Sequence, residues 1–130
     1  MKASLKSGVL DYIWKTYRVK PDYPFASEPE LPVLRHADNR KWFALILTVP
    51  EYMLGLEGEE PVDVLNLKCS PVLAGALRNQ KGIRAAYHMN REHWISILLD
   101  GTVPEEDIAP LIDLSFQLTA GKNHKSKKHG

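Results

Sequence analysis

A single cysteine, Cys69, stands in the 130 residues. No intrachain disulfide can therefore staple the fold, and the composition suits a reducing compartment. No apolar run approaches the roughly 20 residues that a membrane-spanning helix requires. The opening Met1-Lys2-Ala3-Ser4-Leu5-Lys6 lacks the apolar core of a secretory signal and leads into an amphipathic pattern. A cytoplasmic location with no membrane attachment is expected. Glycine-rich phosphate loops are missing as well, because Gly55-Leu56-Glu57-Gly58 lies among acids that would repel a phosphate. Net charge is small, +1 in total, so no strong overall field draws the chain to nucleic acid or to an anionic surface. The distribution is less even. The last nine residues, after Gly121, hold four lysines and no acid; without them thirteen basic residues face sixteen acidic ones, a net of −3. Affinity for a polyanion must come from a local patch or from this tail.

What is present suits one globular domain. Hydrophobic residues make up 44% and charged residues 25% of the chain, which is enough apolar material to form a core without metals or disulfides. Leu5, Val9, Tyr12, Ile13 and Tyr17 recur at helical spacing, with Ser4 placed to cap a helix over 3–18. Pro21, Pro24, Pro29 and Pro32 then impose an extended connection. Strands are predicted at Val33 to Ala37 and Lys41 to Val49, joined by the turn-forming Asp38-Asn39-Arg40. The second is apolar on both faces from Trp42 to Leu47, as a covered central strand would be. Val62 to Lys68 reads as a partly exposed strand. Ser70-Pro71 opens a short helix that stops near Lys81-Gly82. Two more strands, Ile83 to His88 and Trp94 to Leu99, precede a last helix that starts near Pro104-Glu105-Glu106, where acids suit the N-terminal dipole. The order is α-β-β-β-α-β-β-α. The expected fold is a single α+β domain over 1–120, a mostly antiparallel five-stranded sheet with helices packed on it, followed by a disordered basic tail over 121–130.

Several segments carry a family likeness: Asp22-Tyr23-Pro24-Phe25, Lys41-Trp42-Phe43-Ala44 and Leu65-Asn66-Leu67-Lys68-Cys69. The most specific runs from Ala86 through Tyr87-His88-Met89-Asn90-Arg91-Glu92-His93-Trp94 to Ile95, continuing over Leu99-Asp100-Gly101-Thr102-Val103-Pro104. The chain resembles the MmcQ/YjbR family of small bacterial proteins across residues 5 to about 119. That resemblance implies the same element order, a double-wing, CyaY-like arrangement, and the DNA-binding role usually attached to the family name. Arg91 stands where a lysine is common in the family, and the proline-containing stretch after Phe25 is longer.

Chemistry concentrates around the last strand-to-strand connection. His88, Asn90, Arg91 and His93 lie in and around it, Arg84 is on the strand that leads into it, and Lys68 ends another strand. Arginine and lysine suit phosphates, while asparagine and histidine add hydrogen bonds; Tyr87 and Trp94 would stack on bases where exposed. The competing reading makes the histidines and Asn90 loop-shaping residues. A metal site on His88, His93 and Cys69 is not expected, since the spacing is loose and no carboxylate or second cysteine joins them. A nucleophilic Cys69 at a helix start lacks an orienting acid and an oxyanion hole. Glu59-Glu60 and Glu105-Glu106 read as solvation and helix-start charge. Trp14, Trp42 and Phe43 read as core, and His36 as a solvated strand-end histidine. The expectation is a non-catalytic DNA-binding module without cofactor, monomeric or weakly dimeric. The alternatives are a protein-interaction or chaperone-like domain and a small-ligand binder using His88 and His93.

Overall fold

The structure, a computed structural model, describes residues 4–121. Of the expected disordered tail over 121–130, residues 122–130 lie outside the described residues. The first apolar stripe winds into helix α1, Lys6–Tyr17, and buries Val9 and Ile13. Its N-cap is Leu5, with no side-chain cap, rather than Ser4. Ser4 Oγ instead accepts from Lys6 N–H at 3.1 Å and donates to Asp63 at 2.6 Å.

Five strands follow: β1 (Val33–Arg35), β2 (Trp42–Pro50), β3 (Pro61–Lys68), β4 (Ile83–Ala85) and β5 (Trp94–Leu98). They form one antiparallel sheet in the order β1-β2-β3-β5-β4. Helices α2 (Pro71–Leu77) and α3 (Glu105–Thr119) and a 3₁₀ turn, Glu51–Leu54, complete the elements. Ser70 caps α2 by accepting from Leu73 N–H at 3.3 Å, and Pro71 sits where its missing N–H is harmless. Pro110 is six residues into α3 and is tolerated there. After α2 the chain turns through Gly82, whose φ is +87° and where a Cβ would lie 2.7 Å from Val103 Cγ2; glycine is required for both reasons.

One face of the sheet is helix-covered. Val9 and Ile13 of α1, Ala74 and Leu77 of α2, and Ile108, Ile112 and Phe116 of α3 pack on Ile46, Leu65, Leu67, Ile95 and Ile97. The other face carries a separate core of Val33, Leu45, Leu47, Val64, Trp94 and Leu98, covered by irregular segments that contribute Leu31, Leu54 and Ala86. β2 is thus buried on both sides, as its composition predicted.

Trp14 and His36 also depart from expectation. Trp14 is 38% exposed, outside the α1 stripe, with the Arg18 and Lys20 cations 5.2 and 5.3 Å from its ring centroid. His36 is 2% exposed. Its Nε2 lies 2.8 Å from Thr119 Oγ1, and its ring packs on Phe43 and Phe116. The chain turns back at Arg40, a non-glycine residue with φ of 65°, so the strand end that holds His36 faces α3 and not solvent.

Tyr12 and Tyr17 both donate to Asp113 Oδ1, at 2.7 and 2.5 Å, tying α1 to α3. Burial first, then the Asp113 carboxylate, raise both phenols above the ordinary value of 10.0. Above pH 10 the unfolded phenols release protons that the folded ones retain, so this stability is complete below that pH and is lost as the pH rises beyond it. We expect the melting temperature to drop above pH 10, and less steeply in Tyr17→Phe; equal slopes for the two proteins would contradict the assignment.

Candidate functional site

The edge strand β4 has room for only three paired residues before the chain leaves the sheet. Tyr87, the next but one, is fixed through its backbone. Its N–H donates to Ser96 Oγ at 3.0 Å and its carbonyl accepts from Asn66 Nδ2 at 2.9 Å. Ser96 Oγ in turn donates to Asn66 Oδ1 at 2.5 Å. Asn66 and Ser96 are both fully buried and sit opposite each other in register, with Arg84 opposite Ser96 on the far side. A polar row therefore crosses the otherwise apolar face and anchors the loop. Such a network is favourable because the donors and acceptors named are matched.

Beyond Tyr87 the backbone of His88 takes φ of 62°, a left-handed conformation that costs a non-glycine residue about 1–2 kcal/mol. Its ring lies 4.0 Å from the Tyr87 ring, tilted by 50°. Asn90 shapes the rest of the loop: its Oδ1 accepts from Glu92 N–H at 2.8 Å and its carbonyl from His93 N–H at 3.2 Å. The His93 carbonyl then accepts from Cys69 N–H at 2.8 Å, fastening the loop to the end of β3.

An open cleft of about 570 Å³ lies between this loop, β4, the 3₁₀ turn and the end of α2. Arg78, Arg84 and Arg91 supply its charge and His88 adds an imidazole, while Met53, Leu54, Ala85, Ala86 and Tyr87 supply apolar wall. Among the described residues no carboxylate lines it. Arg78 Nη1 donates to the Arg91 carbonyl at 3.4 Å, and Tyr87 Oη donates to Met53 Sδ at 3.0 Å. A cleft of about 350 Å³ beside the start of α1 differs in kind, because Lys6 there faces Glu28 and Glu30.

Of the residues singled out in the sequence, Arg84, His88 and Arg91 converge on the basic cleft, while Lys68, Asn90 and His93 do not line it. Lys68 lies on the same sheet face, opposite Trp94 in register, with Nζ 5.6 Å from the Trp94 ring centroid. Asn90 serves the loop through its carboxamide oxygen. His88 lines the cleft and His93 does not. Trp94 is 8% exposed and has no face to offer a base. Cys69 is buried, and that burial raises its thiol pKa despite the opposing Ser70 backbone hydrogen bond. Arg78 and Met53 were missed in the sequence. One lies in a short helix end rich in polar residues and the other in a turn with no periodic signal.

The YjbR family model matches residues 15–118, a span that contains every residue of the cleft. The chain belongs to the YjbR family. A Bacillus subtilis (strain 168) relative, YyaQ, is 44% identical over 114 residues, covering 88% of this chain and 97% of that protein. Escherichia coli (strain K12) YjbR is 33% identical over 88 residues, covering 66% of this chain and 75% of that one. A crystal structure of a Pseudomonas syringae protein superposes with a TM-score of 0.86 at 46% identity, covering 88% of this chain and 98% of that chain. A Deinococcus radiodurans structure at 22% identity and TM-score 0.68, covering 95% and 85% of the two chains, shares the fold. The α+β architecture and the YjbR assignment read from the sequence both hold. Among the described residues no helix is long and apolar enough to cross a membrane.

Proposed function

We propose that this YjbR-family chain is a nucleic-acid-binding module that meets phosphates along the basic edge formed by the end of α2, strand β4 and the loop after it. The observation that carries the reading is the composition of the cleft: three arginines and a histidine converge with no acid among the lining residues. In a body whose charge is otherwise slightly negative, such a concentration is the local patch that polyanion binding requires. Lys68 extends the same face, and the DNA-binding role implied by the family resemblance agrees with it. The reading is one of binding and not catalysis, in the cytoplasm, with DNA as partner; a protein partner is the alternative if DNA fails to bind.

Salt dependence distinguishes a patch from general attraction. Each neutralised phosphate steepens the fall of log K with log salt by about 0.9 for duplex and about 0.7 for single strands. Three phosphate contacts therefore predict a loss of roughly 40-fold for duplex between about 50 and 200 mM salt. Fluorescence anisotropy on labelled DNA should show this in the full chain and in a variant with Lys122, Lys125, Lys127 and Lys128 changed to glutamine. Arg84→Ala with Arg91→Ala should weaken binding at least about tenfold and make the slope shallower by about two contacts. Binding that vanishes with the tail lysines and ignores the two arginines would overturn the assignment to this edge.

A further inference from the structure

The basic cleft has features that backbone contact alone does not explain. Arg84 Nε is shielded from solvent and has no hydrogen-bond partner. Buried donors are nearly always paired, and a persistent exception marks a place where an acceptor belongs. The Nε–Nη edge of a guanidinium is the fork that two oxygens of one phosphate or carboxylate fill. Neither ion pair of Lys15–Asp11 nor Arg35–Asp22 involves the cleft arginines, so among the described residues Arg78, Arg84 and Arg91 gather without a counter-charge. Beside them is a different surface. Tyr87 and His88 lie ring against ring, and Met53, 49% exposed, is held by the Tyr87 hydroxyl. Flat aromatic and polarisable groups of this type receive a base.

We infer that the cleft takes a nucleoside phosphomonoester, its phosphate on Arg84, Arg91 and Arg78 and its base against Tyr87, His88 and Met53. The inference rests on the strand-binding reading for its location and narrows the ligand. The volume of about 570 Å³ falls among those of small-ligand sites. A phosphomonoester carries about 1.5–2 negative charges and three free oxygens, which suits a cluster of guanidiniums of which one, Arg84, has an Nε still without an acceptor. A phosphodiester inside a strand carries one charge, and its chain must continue in both directions past the cleft mouth. The same chemistry occurs at the 5′-phosphorylated end of a strand and in a free mononucleotide.

Anisotropy with the full chain tests this using a single-stranded octamer bearing either a 5′-phosphate or a 5′-hydroxyl, with calorimetry of adenosine monophosphate, adenosine and inorganic phosphate alongside. The 5′-phosphorylated strand is expected to bind at least about tenfold tighter. Arg84→Gln should erase that difference, and should also weaken the hydroxyl-ended strand by the one phosphate contact that both strands lose. Arg84→Lys, which keeps charge without the fork, should recover only part of it. Adenosine monophosphate binding more tightly than both adenosine and inorganic phosphate, with no binding to either strand, would uphold the inference with a free nucleotide as ligand and end the strand reading. Equal affinity for the two strand ends would overturn the inference and leave the strand reading intact. Inorganic phosphate binding as tightly as the nucleotide would remove the nucleoside from it. No binding of any probe by wild-type protein, with circular dichroism showing it folded, would overturn both.

Discussion

Phe116→Ala is expected to lower stability by about 3–5 kcal/mol, the usual loss for a large aromatic removed from a core, and the melting temperature by at least about 10 °C. Phe116 is 5% exposed and lies at the centre of an aromatic cluster. Its ring stacks on Tyr17 at 3.8 Å, meets Phe43 edge-on at 5.0 Å and lies 4.2 Å from His36. These partners come from α1, β2 and the end of β1, so one truncation opens a cavity where three elements meet and the neighbours have little freedom to collapse into it. Aromatic pairs add about 0.5–1.5 kcal/mol beyond area burial, which places the expectation toward the upper part of that range. Leu118→Ala, two residues along the same helix and 44% exposed, is the control and should change stability by no more than about 0.5 kcal/mol. Equal losses for the two variants would mean that α3 is held by something other than this cluster. Thermal or urea unfolding decides it.

The elements that could be read from the sequence are those whose determinants are local. β2 announced itself through apolar residues on both faces, and α2 through Ser70 and Pro71, because capping and proline geometry act within a few residues. His36 could not be read, since its partner Thr119 is 83 positions away and nothing near His36 distinguishes a buried imidazole from a solvated one. Trp14 misled for the opposite reason: aromatic size suggested core, although the residue lies off the stripe of Leu5, Val9 and Ile13. The site was half legible. Arg84, His88 and Arg91 stood out as basic residues near a loop, but Arg78 joins them only because α2 ends beside the edge of β4. Asn66 looked like the wet side of a half-exposed strand. Its face is covered instead by the loop after β4 and the segment around Leu54, irregular pieces that carry no periodic signal.

That burial makes Asn66 the residue whose loss should be felt both in stability and in binding. Asn66→Ala removes the partner of the Tyr87 carbonyl and of the Ser96 hydroxyl at once. Leaving buried polar groups unpaired costs about 1–3 kcal/mol for each, so a loss near the top of that range or somewhat beyond it is expected. Ser96→Ala leaves the Tyr87 N–H and Asn66 Oδ1 unpaired by the same logic. Because the two side chains share one network, the double variant should lose less than the two single losses combined. The functional consequence follows from geometry: Tyr87 and His88 are held at the lip of the basic cleft by this network alone among the hydrogen bonds described for the Tyr87 backbone. Freed from it, the loop should show faster amide exchange at Tyr87, and on the proposed reading nucleic-acid affinity should fall in Asn66→Ala although no residue lining the basic cleft has been removed. A variant that is destabilised but binds DNA with unchanged affinity, measured well below its melting temperature, would separate the polar row from the site and leave it a purely structural feature of the sheet.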